Sequence, residues 1–66
     1  MDELLTPSQL ALKLHKPAAS LAQWRYKGIG PKFVKIGSAV RYRASDVEAW
    51  LDAQTQTQTG QALASA

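Results

Sequence analysis

The chain is 66 residues long, enough for one small domain, which at this size buries only about 60% of its unfolded surface and has little stability to spare. It has no cysteine and a single histidine, His15, which excludes a disulfide framework, a thiolate metal site and a histidine cluster, so no metal and no cofactor are expected. Its net charge of +3 conceals a segregation: all eight Lys and Arg residues lie between Lys13 and Arg43, a 31-residue stretch without an acid, while Asp2, Glu3, Asp46, Glu48 and Asp52 lie outside it.

A strongly basic middle between acidic flanks points to a polyanionic partner. The start carries two acids in place of a basic leader, and no run approaches the roughly 18 apolar residues of a membrane span. A soluble cytoplasmic protein without a membrane contact is therefore expected.

In chain order, Thr6-Pro7-Ser8-Gln9 is a helix start. Thr6 is the N-cap, Pro7 the first helical residue, and Gln9 completes a capping box, with Leu5 and Leu10 placed as a hydrophobic staple. Leu10, Ala11 and Leu14 share one face, and this first helix runs to about Leu14, where His15 leaves it in a left-handed conformation. Pro17 opens a second helix as its first residue, and the helix, 17–27, ends at Gly28. Leu21 and Trp24 face inward; Ala19, Gln23 and Tyr26 face outward, flanked by Ser20, Ala22 and Lys27.

Gly28-Ile29-Gly30-Pro31 is a loop, and the hairpin 33–43 follows, with strands Phe33–Ile36 and Val40–Arg43 around Gly37-Ser38-Ala39. Val34, Ile36, Val40 and Tyr42 are assigned to a packed face, and Lys35, Arg41 and Arg43 to a solvated one. Ser45-Asp46-Val47-Glu48 reads as a second capping box, opening a third helix with Val47, Trp50 and Leu51 inward and an end near Gln54. The expected domain is thus 1–54, followed by a polar tail, 55–66, too poor in apolar residues to bury and expected to be disordered.

Two helices joined by a tight turn, then a basic hairpin and a closing helix, is the order of a winged helix-turn-helix, an α+β fold whose second helix enters the major groove. That role needs an acid-free outward face with small residues at its start and cations at its ends. The ordered set Leu5-Thr6-Pro7, Ser20-Leu21-Ala22-Gln23-Trp24-Arg25, Gly30-Pro31, Ile36-Gly37, Val40-Arg41-Tyr42-Arg43 and Ser45-Asp46-Val47-Glu48-Ala49-Trp50-Leu51 resembles small excisionase-type proteins related to the DNA-binding domain of MerR regulators. The resemblance implies double-stranded DNA as partner, with the wing on the backbone or in the adjacent minor groove. It further implies a bacterial phage or mobile-element origin and, in members that direct excision, an integrase partner; other members are transcription regulators.

The candidate DNA-binding residues are Lys16, Ala18, Ala19, Ser20, Gln23, Arg25, Tyr26, Lys27, Lys35, Ser38, Arg41 and Arg43. Gln23 has the amide that reads adenine, Ser20 reaches a phosphate, and Tyr26 either meets a phosphate or covers the base of the wing. Arg25 lies close to the packed side, its stem snorkelling while its head reaches backbone or a carboxylate. Lys35, Arg41 and Arg43 rank above ordinary surface cations because no acid lies within the same stretch to pair with them. Trp24 and Trp50 belong to the core.

An adaptor whose basic hairpin docks on an acidic protein is the competing class. An enzyme is not expected, for want of a nucleophile with a base, a phosphate-cradling loop or a metal set. Only 15 residues follow Leu51, too few for the dimerising helix and effector domain of a full MerR regulator, so a monomer that binds DNA cooperatively in several copies is expected.

Overall fold

The computed structural model describes residues 2–55. The expected disordered tail lies, apart from Thr55, outside the described residues. The elements are β1 (Leu4–Leu5), α1 (Pro7–Leu14), α2 (Ala18–Lys27), β2 (Val34–Ile36), β3 (Ala39–Arg43) and α3 (Ala44–Gln54). The fold class is α+β, as expected, with a sheet in the order β1-β3-β2 and both pairings antiparallel. The third strand is a correction to the two-stranded hairpin: Leu4 pairs with Arg43 and Leu5 with Tyr42. Two residues are too short to announce a strand by alternation, and these two are held from outside by β3.

The start of α1 forms as its sequence dictates. The Thr6 hydroxyl accepts from the Gln9 N–H at 3.1 Å and the Gln9 side chain accepts from the Thr6 N–H at 2.9 Å, so two otherwise unpaired helix donors satisfy each other's residues. Leu5 and Leu10 are both buried, which completes the staple. At the other end His15 takes φ 55°, and the Lys16 N–H reaches back to the Ala11 carbonyl at 3.0 Å. That reversal ends α1 and redirects the chain within three residues into α2. Pro17 is the N-cap of α2 and not its first residue, with extended ψ 147°. Gly28 at φ 75° closes the helix with the Ile29 N–H bonded to the Trp24 carbonyl at 2.9 Å.

The hairpin departs from expectation in register. Ile36 pairs with Ala39, Lys35 with Val40 and Val34 with Arg41, leaving Gly37-Ser38 as a two-residue turn. Gly37 has φ 63° and Ser38 has no positive φ, as suits a type II′ turn with glycine first. A three-residue loop would have put Ile36 opposite Val40; the shorter turn slips the pairing by one and exchanges the faces of β2. Val34 and Ile36 therefore share a face with Ala39, Arg41 and Arg43, and Lys35 lies on the face of Val40 and Tyr42. Ile36 is 56% exposed where packing had been expected.

The third helix holds two further differences. Arg43 is its N-cap residue and makes no side-chain cap bond, so the Ser45–Glu48 capping box does not form. Asp2 takes over: its carboxylate accepts from the Ser45 N–H at 3.2 Å and from the Ser45 hydroxyl. An acid at a helix N-terminus is favourable both as acceptor and against the helix dipole. Leu51, expected inward, is 43% exposed beside Leu14 and Glu48 at the rim of a groove between α1 and α3.

The core consists of Leu5, Leu10, Ala11, Leu21, Tyr42 and Val47, with Leu14, Trp24 and Val40 packed against it. Trp24 and Trp50 meet with ring centroids 5.4 Å apart at 42°, joining α2 to α3. Gly30 lies under Trp24: at φ 85°, a Cβ there would fall 2.9 Å from the indole. Nothing lies within 4 Å of a Cβ at Gly37.

Gly30→Ala is expected to lower unfolding free energy by about 2 to 3 kcal/mol, from the left-handed backbone and the clash together. Gly37→Ala is expected to cost only about 1 to 2 kcal/mol, from backbone alone. Urea denaturation of the two variants measures the difference.

The hydrogen bonds from Ser45, aided by Arg43, hold the Asp2 carboxyl below its ordinary value near 3.8. The contribution of this cap is therefore present above that ordinary value and lost as pH falls through the lowered one. Wild type is expected to exceed Asp2→Asn in stability by a constant margin from about pH 5 upwards, a margin that shrinks as the solution is acidified below 3.8. Thermal melts of both proteins across that range measure it.

Candidate nucleic-acid interface

The exposed side of α2 is the longest acid-free surface that a helix offers here. Ala18, Ala19, Ala22, Gln23, Tyr26 and Lys27 are exposed, Ser20 is half-buried, and Leu21 and Trp24 turn to the core. The outward row expected from the helical wheel, Ala19, Gln23 and Tyr26, is the row observed. Tyr26 is 91% exposed, so it does not cover the base of the wing. At 1.5 Å per residue the helix is roughly 15 Å long, comparable with the roughly 12 Å width of the major groove. Lys16 precedes its first turn and Lys27 lies in its last. The alanines at its start leave the backbone of its first turn without long side chains on the outward face.

Arg25 is half-buried and tied down. Its Nη1 donates to the Tyr42 hydroxyl at 2.8 Å, and its guanidinium lies 5.9 Å from the centroid of the Phe33 ring. The head was expected to seek backbone or a carboxylate; it found a phenol and an aromatic face, both from the hairpin and its approach. Phe33 and Tyr42 themselves meet at 6.2 Å between centroids. Phe33 and Tyr42 are thus positioning residues for Arg25 that the sequence did not reveal. The packed face of Tyr42 was expected; its meeting with Arg25, 17 residues away in sequence, depends on how α2 packs beside β3.

The remaining cations divide. Arg41 is half-buried and folds one nitrogen back onto the Val40 carbonyl at 2.7 Å, its other donors having no hydrogen-bond partner among the described residues. Arg43 pairs with Asp46 at 3.3 Å, which corrects the expectation that it lacked an acidic partner. The acid lies three residues on in sequence, just beyond the basic stretch, and helix geometry brings it back. An exposed pair of this kind is worth about 0 to 1 kcal/mol and yields readily to a phosphate. Lys35 and Ser38 are exposed on the hairpin, Lys35 on the opposite face from Arg41. The structure thus does not gather the twelve candidates into one patch: eight belong to α2 and its flanks, four to the wing.

No acid lies on α2, whereas the wing meets two at Arg43, which pairs with Asp46 and acts on Asp2. The Glu3 carbonyl accepts from the Ala44 N–H at 2.9 Å and Asp2 binds Ser45, so the N-terminal acids join those of α3. Two flanks that are separate in sequence become one acidic region. Among the described residues there is no cluster of three His, Cys, Asp or Glu that could hold a metal, and no helix long and apolar enough to cross a membrane.

A helix-turn-helix domain family model matches residues 4–55. The match spans most of the chain and every element of the fold, and the chain belongs to that helix-turn-helix family. Membership supports binding to double-stranded DNA, and such domains are typically not enzymes. Comparison with curated proteins and with solved structures gave no match.

Tyr42→Phe keeps the ring and removes the acceptor of Arg25; it is expected to lower stability by about 1 to 2 kcal/mol. Tyr26→Phe is expected to change it by less than about 0.5 kcal/mol. Equilibrium urea unfolding of both variants tests the asymmetry.

Proposed function

We propose that the chain is a sequence-selective duplex-binding protein of a bacterial phage or mobile element, acting as an excisionase-type directionality factor. The observation that carries the DNA-binding mode is the outward face of α2. Over ten residues it offers small side chains, one amide and one phenol, without an acid, between two lysines and beside a cationic hairpin. In this reading α2 lies in the major groove, with Ala18 and Ala19 against its floor and Gln23 on an adenine edge. Ser20, Tyr26, Lys16 and Lys27 meet phosphates, and Arg25 delivers a guanidinium whose direction is already fixed by Tyr42 and Phe33. Lys35, Ser38, Arg41 and Arg43 hold the adjacent backbone.

The ordered motifs that resemble excisionase-type proteins support the role in recombination. An integrase is then a second partner, and several monomers bind neighbouring sites cooperatively. Footprinting on the attachment sites and on the promoters of the same element tests the role. Protection at attachment sites in a ladder of successive complexes is expected; protection confined to a promoter assigns the same surface to transcriptional control.

If about four to six phosphates are contacted, log affinity is expected to fall against log salt with a slope near −4 to −5. Arg41→Ala is expected to weaken binding to every sequence and reduce that slope by about one, whereas Gln23→Ala costs about 1 to 3 kcal/mol on the preferred site and little on a scrambled one. Fluorescence anisotropy across a salt series measures all three; a flat salt response rules out the phosphate-dominated mode.

A further inference from the structure

Lys32 is exposed, makes no ion pair among the described residues and is not one of the twelve candidates. It stands on the wall between two cavities. One, of about 370 Å³, lies between the loop 28–33 and Arg43, and its charged lining is Lys32 and Arg43. The other, of about 250 Å³, shares Lys32 and Gly30 with the first and holds Asp46 and Trp50. Two cations thus face one cavity without an acid, and the acid lies next door. Arg43 is drawn to that acid, its Nη1 meeting Asp46 at 3.3 Å. The partners are unequal in freedom, the Arg43 side chain being 51% exposed and that of Asp46 22%. Asp46 also sits in the first turn of α3, so the carboxylate is the fixed member and the guanidinium the one able to swing. The loop that carries Lys32 is itself anchored: Pro31 is buried, and Gly30 lies under Trp24, which meets Trp50.

We propose that Lys32 and Arg43 clamp one backbone phosphate of the duplex at the base of the wing, and that Asp46 holds Arg43 in the free protein as a stand-in for that phosphate. This rests on the DNA-binding reading above. Arg43 offers a planar fork of donors and Lys32 a point charge, a combination suited to the oxygens of one phosphate. On contact Arg43 exchanges the carboxylate for the phosphate. The lost pair opposes every anion alike, and only one that also reaches Lys32 offsets it.

The test uses the whole chain and fluorescence anisotropy on a labelled duplex selected from a randomised pool. Single methylphosphonate linkages in that duplex remove the charge of one phosphate at a time. Each variant is compared at a temperature where its circular-dichroism spectrum is that of wild type. Lys32→Gln is expected to weaken binding about fivefold at roughly physiological salt and to lower the salt slope by about one, as loss of one phosphate contact does. That loss is expected to vanish on the duplex whose methylphosphonate lies at the clamped linkage. Asp46→Asn is expected to strengthen binding by up to about fivefold, the range an exposed pair allows, and to give no such gain in an Arg43→Gln background. Glu48→Gln removes the same charge from the same helix, and its gain is expected to be smaller and to persist in that background.

No loss in Lys32→Gln, or a loss equal at every methylphosphonate position, overturns the clamp. An equal gain from Asp46→Asn with and without Arg43 overturns the stand-in. Inorganic pyrophosphate that changes tryptophan emission through Lys32, while Lys32→Gln leaves duplex binding unchanged, assigns the cavity to a free phosphorylated ligand and overturns the clamp too. In all three cases wild type still binds the duplex, whereas absence of wild-type binding to any duplex removes the DNA-binding reading itself.

Discussion

Burial of Tyr42 with its hydroxyl satisfied is the constraint on which the rest of the structure turns. Its residue is 1% exposed, so the phenol needs a partner or incurs the cost of an orphaned polar group. Arg25 supplies that partner from α2, and a guanidinium so placed is itself kept from free rotation. The same residue pairs with Leu5 of β1, packs against Phe33 and sits in the core with Leu10 and Leu21. One side chain thereby fixes three things at once: the middle strand, the helix that faces outward, and the angle at which the hairpin leaves the body. A domain whose core cluster holds six buried residues has few other ways to do so.

Charge and packing are then assigned to different places. Six core side chains are apolar apart from the Tyr42 hydroxyl, and no buried polar side-chain atom among the described residues lacks a partner. Apart from Lys13 on α1, which lines a groove with Glu3 and Glu48, the cations lie on or beside α2 and the hairpin, and the acids are collected around β1 and α3. Pairing β1 with β3 does both jobs: it makes β3 the middle strand and draws Asp2 and Glu3 to the start of α3. The two edge strands are β1, two residues long, and β2, three residues long and carrying Lys35, and short or charged edges are how small sheets discourage further strand pairing.

Much of this was legible in the residues. Thr6, Pro7 and Gln9 specify the first helix by local hydrogen bonding alone, and His15 and Gly28 mark the ends of both leading helices because few residues tolerate a positive φ. The helical wheel of α2 was readable since Leu21 and Trp24 leave only one side to bury. Three features were not readable: two depend on a partner distant in sequence and the third on the length of a turn. Leu4-Leu5 becomes a strand only because β3 is beside it. Ser45 is capped by Asp2, 43 residues away, in place of the local box its sequence suggests. The faces of β2 depend on whether the turn takes two residues or three, a parity that Gly37-Ser38-Ala39 does not declare. That single parity moved Ile36 to solvent and set Lys35 and Arg41 on opposite faces of what had read as a one-sided basic ribbon.

The contrast between Arg25 and the lysines shows why position of charge matters more here than amount. Lys16, Lys27 and Lys35 are exposed, and each must give up rotamer freedom when it meets a phosphate, a cost of about 0.5 to 1.5 kcal/mol per side chain. Arg25 has already met that cost in the folded protein, through its bond to Tyr42 and its place over Phe33. A planar guanidinium can make both contacts and still present donors outward, which an ammonium cannot. The lysines therefore supply attraction that any polyanion would feel, whereas Arg25 imposes a fixed direction relative to the α2 face. On the reading proposed above, in which α2 carries alanines where longer readers of bases could stand, such a fixed direction adds to the Gln23 amide and the shape of the groove in distinguishing one stretch of duplex from another.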